Sequence, residues 1–482
     1  MSETTQRSIA PLAMIVLGCV WLASERAYLP HVDDLFMITW AKTVAEAGSL
    51  PVHALKRFLA TPDFFAYSPR LHILAMAAQF KAFGANIESV LGFRAITFAL
   101  SALAVAVAAV HKRLSIVALF FPAALCLTML HTGLRFEGTA LALLLGGFAL
   151  LWTDEPRSGR HDAPKRIVAK SLIILAPLAA SSALAYGAAF LIVSDLRDLT
   201  LRRRGIGRLA IEGVAALAIG IFVLGTMVGF DYGKFVSVFA SAGESNVLFG
   251  LTPMRLLNGV ALLAAAFLMR RIAQEATFPV AAVGLGSLFS LVLHNKISIS
   301  VPLTWLSILL LADAASHNSQ WRRVVLGVTA AVFAAMSFNQ VQSLALARPS
   351  PEAAAAVRAF AEQARTEKRI LLVDEIAAIH GLRLDLGDAY AWTWSLPHPG
   401  SRPLSVEQIG EGESWIVSTY TIHGWLRSKG VAGFPEAAPA SAEPLRGLPC
   451  LIGRNSCRLP AMRWSYYLVE RRDGVVNVRT VP

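Results

Sequence analysis

The chain has 482 residues, of which 55% are hydrophobic, 16% charged and 9% aromatic, with 44 Lys and Arg against 32 Asp and Glu and a formal net charge of +12. Soluble globular proteins carry about 25% charged residues, so this composition excludes an ordinary soluble enzyme, and its apolar content excludes a disordered chain. The basic residues punctuate apolar runs instead of forming one basic domain, which argues against a nucleic-acid partner, and four cysteines are too few for a disulfide scaffold or a zinc-ribbon array.

A helix that crosses a bilayer needs about 20 predominantly apolar residues. Eleven runs approach that length, near residues 8–24, 90–111, 114–131, 135–152, 168–183, 184–199, 209–229, 256–270, 277–293, 299–315 and 324–343. The first reads as a span and not as a signal peptide, because no clear small-x-small cleavage site follows it. The fifth and sixth are short enough to be two spans or one bent element. Lys112 and Arg113, the cations from Arg157 to Lys170, those from Arg197 to Arg208, Arg270 and Arg271, and Arg322 and Arg323 all fall on one side of this path. Cytoplasmic loops retain such residues, so the amino terminus is expected in the cytoplasm and the segment after about residue 344 outside it. The expected fold is an α-helical polytopic membrane protein of about eleven transmembrane helices in a bacterial inner (plasma) membrane. Its membrane module covers 1–345, including a long first extracytoplasmic loop at 25–89, and an extracytoplasmic, periplasmic α/β domain covers 346–482.

The first loop opens with YLPHVDDLFMITWAKTVAEAGSLP, in which Asp33 and Asp34 are adjacent. Carboxylates are costly in a bilayer and cheap in water. One reading makes them an interfacial cap, with Asp34 starting a helix through Trp40, Val44 and Ala47; the other makes Asp33 a general base facing a membrane-level cavity. His31 and His53 lie in the same loop, but isolated histidines are more often packing residues than ligands, so no metal or other cofactor is expected to be required. The loop continues with FFAYSPRLHILAMAAQFKAFG, where a proline opens an apolar helix too interrupted to span and a glycine ends it; a true span is expected after Arg94.

Farther along, HTGLRFEGTALALLLGGFALLW opens a span with Arg135 and Glu137. The aromatic loop FDYGKFVSVFASAGESNVLFGLTP reads equally as a closing lid or an interfacial helix. Gly284 and Gly286 lie inside an apolar run, where close helix packing is the ordinary role. HNKISISVPLTWLSILLLADA sets His294 and Lys296 in a tight turn before a span. In the tail, SPEAAAAVRAFAEQARTEKR has helical periodicity, while RILLVDEIA, SWIVSTY and RWSYYLVERR read as strands. Tyr390, Trp392 and Trp394 alternate, as core residues or as a sugar platform. Cys450 and Cys457, close together on the oxidising side, are expected to form a loop-closing disulfide; Cys19 and Cys126 lie in apolar runs and read as packing residues.

An acidic pair after the first span, a proline-started re-entrant helix, an F-K-x-F-G end, an Arg-led span and the later RFE and HNK turns resemble, in that order, the glycosyltransferase-C superfamily. The likeness is to the branch of protein O-mannosyltransferases and lipid A aminoarabinose transferases; it covers about residues 8–345, strong in element order and weak in identities. The resemblance implies an integral-membrane glycosyltransferase. It would pass a sugar from a polyprenyl monophosphate-linked donor to a hydroxyl of an extracytoplasmic lipid, glycan or protein acceptor, usually with inversion, among membrane lipids. It places Asp33 as the general base and Asp34 as an orienting residue. Arg70, Arg135, Lys296 and His294 become candidates for the donor phosphate, and Tyr67, His72 and Glu137 acceptor-side or structural residues. Lys234 and Arg255 read better as interfacial snorkelling cations. The sequence departs from the pattern at Ser68, where a basic residue commonly precedes the proline, and at Phe36, where an Arg is expected, so the donor sugar is not specified. A lipid-linked-sugar flippase or small-solute transporter is the alternative, and a non-catalytic scaffold the third reading.

Overall fold

A computed structural model describes residues 3–24, 32–48, 70–130, 137–154, 162–201, 203–233, 253–270, 274–291, 297–316, 319–346, 351–367, 370–373, 390–391, 409–418 and 466–481. The chain is mostly helical, with a small sheet near its carboxyl end. Each of the eleven apolar runs is occupied by a helix: α1 (Glu3–Leu22), α4 (Ile87–His111), α5 (Ser115–Met129), α6 (Glu137–Trp152), α7 (Asp162–Ala179), α8 (Leu184–Thr200), α9 (Ile206–Val228), α10 (Pro253–Met269), α11 (Gln274–Phe289), α12 (Ile297–Ala315) and α13 (Ser319–Leu346). The first loop supplies α2 (Val32–Ala47) and α3 (Arg70–Phe83). Among the described residues, two helices, α4 and α9, are long and apolar enough by length and composition to cross a membrane, and five more have shorter apolar runs.

The packing forms a ring in which α4, α5, α12, α11, α8, α7 and α6 follow one another, each touching the next, and α6 closes onto α4. Outside it, α1 lies on α4 and α5, α13 on α5 and α12, α10 on α11, and α9 on α7. These rim helices carry much of the exposed apolar surface: Leu12, Val16 and Leu17 on α1, Ile211, Val214 and Phe222 on α9, Leu257 and Leu268 on α10, and Val328 and Phe338 on α13. Water would penalise such a surface, since monomeric soluble proteins rarely expose contiguous apolar patches of this kind. Glycines set the closest approaches inside: a Cβ at Gly284 would stand 3.1 Å from Leu262 and Leu263, and one at Gly286 would run into the Tyr186 ring.

α5 has Leu114 at its cap position, which offers no side-chain cap. Asp313 of α12 supplies one, its carboxylate accepting the backbone N–H groups of Ile116 and Val117, both at 3.0 Å. At the opposite end the Arg94 guanidinium donates to the Met129 carbonyl at 2.8 Å. An acid at a helix's amino end and a cation at its carboxyl end both complement the helix dipole, so α5 is held at each end by a neighbour's charge.

The fifth and sixth runs prove to be an antiparallel hairpin. α7 and α8 are joined by a 3₁₀ turn at Ser181–Ala183, and Lys170 midway along α7 pairs with Asp195 in the second half of α8 at 2.9 Å. The first-loop helix α3 packs on both α4 and α7. Gly84, with φ of 85°, ends α3, and Asn86 caps α4 by accepting from the Ser89 N–H. The helix therefore starts at Ile87, three residues before the apolar run near 90–111 and seven before Arg94, which is inside it with 2% exposure.

The tail begins with α14 (Pro351–Thr366) and forms a sheet ordered β2-β1-β3-β4-β5 from β1 (Ile370–Val373), β2 (Tyr390–Ala391), β3 (Ser414–Ser418), β4 (Tyr466–Arg472) and β5 (Val475–Thr480). β1 is parallel to β2 and β3; β3, β4 and β5 are antiparallel. Asp473 and Gly474, at φ of 52° and 73°, make the two-residue turn between β4 and β5. Asp-Gly suits a turn that needs positive φ twice, and this pair was the unread signal for β5. Along β4, Tyr466 and Leu468 belong to a cluster that Tyr467 and Val469 do not join, although all four are buried, so both sheet faces are covered. The shared cluster joins Ala353, Val357 and Ala361 of α14 and Ile416 of β3 to Met37, Trp40 and Ala41 of α2 and Ile73, Met76 and Phe80 of α3. The tail and the first loop thus bury one apolar core between them.

Candidate functional site

The first-loop helices carry the residues on which the sequence reading concentrates. Apolar positions Ile73, Met76, Ala77 and Phe80 give α3 its buried stripe and set it against α2. The first turn of α3 then meets the first turn of α6: His72 Nδ1 lies 2.9 Å from the Thr139 hydroxyl, and the His72 ring stands edge-on to Phe93 at 5.3 Å between centroids. His72 and Thr139 are each third in their helices, so two helix amino ends converge, each with backbone N–H groups that have no partner within the helix. Arg70 is the first residue of α3 and half-buried, and Glu137 is the first residue of α6 and buried. Paired helix amino ends with a flanking guanidinium favour anionic charge; Glu137 already supplies some of it.

Asp33 and Asp34 are the second and third residues of α2. Asp34 is therefore inside the first turn and cannot be the residue that caps it, which corrects the expectation for this position; an acid in a first turn still complements the dipole. Trp40 and Val44, further along, are buried as the amphipathic pattern requires. Tyr67, Arg135, His294, Lys296, Cys450 and Cys457 lie outside the described residues, as do His31, His53, Lys234, Trp392 and Trp394. Among the described residues, His72, Arg70 and Glu137 are brought to one place, and no group of three or more His, Cys, Asp or Glu is arranged to hold a metal ion. Cys19 and Cys126 are free thiols in helices.

Two features escaped the sequence reading. Arg94, expected just before a helix, is a buried cation two turns within α4, and a charge inside an apolar run is the signal for it. The other is an ion network where α7, α8 and α9 meet the end of α6. Arg166 is fully buried and lies 2.8 Å from Asp198, 2.9 Å from Glu212, 3.1 Å from Asp154 and 3.2 Å from Asp195. Arg204 joins Glu212 at 2.8 Å and Asp154 at 3.1 Å, and Lys170 joins Asp195. Burial by itself would lower the Arg166 pKa, but Asp198, with Glu212 and Asp154, outweighs it and holds the group above its ordinary value. Arg197 stacks over Phe278 at 4.4 Å and donates to the Leu151 carbonyl. Arg166, Lys170 and Arg204, three of the cations that fall on one side of the chain's path, are therefore paired with carboxylates within the fold.

No family model, curated protein or solved structure matches the chain.

Proposed function

We propose that the chain is a polytopic membrane glycosyltransferase that takes a sugar from a polyprenyl monophosphate donor and passes it to an extracytoplasmic hydroxyl. The observation that carries this reading is the meeting of the α3 and α6 amino ends, with Arg70, His72 and Glu137 at the junction. A departing phosphate needs cationic and N–H donors where its charge develops, and the junction offers both. The exposed apolar residues on the rim helices support eleven membrane crossings, although most of these helices are shorter than an ideal span; neighbours in a ring shield part of each. The first-loop motif resembles the glycosyltransferase-C pattern, which supplies the reaction type.

In this reading Asp33 takes the acceptor's hydroxyl proton as the acceptor oxygen bonds to the anomeric carbon. The bond from that carbon to the phosphate oxygen breaks at the same time, and its electron pair leaves on polyprenyl phosphate. Arg70 stabilises the new charge, with Arg135 and Lys296 as further candidates, and no metal is assigned to the step. His72 fixes α3 on α6 so that Arg70 keeps its place. The tail stays outside the membrane and closes the apolar core of the first loop.

Transfer from labelled polyprenyl phosphate sugars, measured for wild type and Asp33→Asn, tests the assignment. A fall of about 10²–10⁴-fold is expected from losing a general base. Undiminished transfer in Asp33→Asn removes that residue from the role, and no transfer from any donor in a broad panel removes the enzyme reading. The transporter reading draws on the buried ion network, since charges within helical membrane proteins often mark translocation paths. Movement of a lipid-linked sugar across reconstituted vesicles without product would favour it.

A further inference from the structure

α9 is attached to the ring along a narrow stripe. Leu209, Glu212, Ala216 and Gly220 are buried, each three or four positions from the next, and α7 is the helix they pack on. Most of the remaining circumference is apolar and exposed: Ile206 at 74%, Ile211 at 70%, Val214 at 68% and Phe222 at 63%. The turn at the foot of that face is basic. Arg204 is committed to Glu212 and Asp154, but Arg203 is exposed, and Arg208 keeps 42% of its side chain exposed with Glu212 no nearer than 3.5 Å. Between them, Gly205 and Gly207 have, among the described residues and apart from their own helix and chain neighbours, no atom within 4 Å of the position a Cβ would take.

The acids nearby do not cancel this charge. Asp154, Asp195, Asp198 and Glu212 are already engaged by Arg166, Lys170 and Arg204, and Arg197 pairs with Asp198. With Arg203, Arg208 and Lys165 counted, the described residues at this end hold seven cations against those four carboxylates, and Arg203 and Arg208, both exposed, lie at the amino end of the helix that carries the exposed apolar face. A cation pair ending an apolar helix face is complementary to a ligand with an anionic head and long apolar tails.

We propose that the Arg203–Arg208 end of α9 is a binding site for an anionic phospholipid, with its headgroup phosphate between the two guanidinium groups and its acyl chains along the exposed face of α9. The proposal rests on the membrane reading above and is independent of the glycosyl-transfer site. The phosphate is held by charge and bidentate donation, for which arginine is suited. Selection of anionic over zwitterionic lipid follows from the unbalanced positive charge.

The test uses the full chain reconstituted into phosphatidylcholine vesicles containing phosphatidylglycerol, then extracted with detergent and examined for retained lipid by native mass spectrometry. Wild type is expected to retain phosphatidylglycerol in preference to phosphatidylcholine. Each arginine near an anionic surface is worth about fivefold, so R203Q/R208Q should lose roughly thirtyfold in that preference. R203K/R208K, which keeps the charge, should retain most of it, and R322Q/R323Q, at two other exposed arginines, should behave as wild type. Equal loss in R203Q/R208Q and R322Q/R323Q would mean diffuse attraction and overturn the site, as would a wild type without preference or a R203Q/R208Q variant that keeps it. Carbonate washing of the same vesicles separates the two levels: a chain that washes off refutes the membrane reading and the lipid site with it, whereas one that stays embedded without preference refutes the site alone.

Discussion

Arg166→Met tests whether the ion network is what holds the inner ends of α7, α8 and α9 together. Methionine keeps much of the side chain's length and removes the charge that faces four carboxylates. Three of the four have substitutes: Arg204 remains 2.8 Å from Glu212 and 3.1 Å from Asp154, and Lys170 remains 2.9 Å from Asp195. Asp198 is left worst placed, with Arg197 at 3.5 Å and Arg204 at 3.7 Å in place of a partner at 2.8 Å. Its side chain is 3% exposed, so water cannot replace the lost partner. Removing one member of a buried pair costs about 3–5 kcal/mol, and the partial substitution by Arg204 argues for the lower half of that range. Adding Asp198→Asn should return part of the loss by neutralising the stranded acid, whereas Asp195→Asn alone, although at a position 32% exposed, leaves the buried Lys170 with Glu212 at 3.8 Å and should itself cost about 3 kcal/mol. Unfolding in detergent micelles, followed by tryptophan fluorescence, gives the order of stabilities. If Arg166→Met unfolds within about 1 kcal/mol of wild type, or if Asp198→Asn deepens its loss, the network is not the clamp described here.

Replacing His72 by Phe keeps a ring against Phe93 but leaves the buried Thr139 hydroxyl without this partner; a cost of about 1–3 kcal/mol is expected, restored in part by adding Thr139→Val, as thermal melting of both variants would show. Asp313→Ala uncaps α5 from a distance of 197 residues in sequence and should destabilise the chain by about 0.5–2 kcal/mol, while Asp313→Asn, which still accepts a hydrogen bond, should lose less. Truncation after residue 350 removes one wall of the core that Met37, Trp40 and Met76 share with α14 and β3, so limited proteolysis should cut the first loop faster than in the full chain. An unchanged cleavage pattern would mean that the tail is an appendage.

The helices on the apolar runs are legible because a helix is specified locally: its hydrogen bonds close within four residues, and each run carries one. Gly84, the tail helix after Ser350-Pro351, and the strands in SWIVS and YYLVERR were equally local. The reading of Asp34 as a cap fails by three residues, because α2 starts at Val32 and helix boundaries depend on which N–H groups find partners outside the segment.

What the sequence by itself determined is therefore the inventory: a helix on each of eleven apolar runs, an acidic pair opening a helix after the first of them, and a tail of mixed helix and strand. Only the tertiary structure decided the pairings. Arg166 and Glu212 are 46 residues apart, and nothing in either neighbourhood names the other; they meet because α7 and α8 fold back as a hairpin and α9 packs on α7. His72 and Thr139 are 67 apart and meet because α3 lies across the starts of two ring helices. A carboxylate or an arginine in a loop looks the same in sequence whether it faces water or a partner. Its role is set by distance and burial, which exist only once the helices have taken their places.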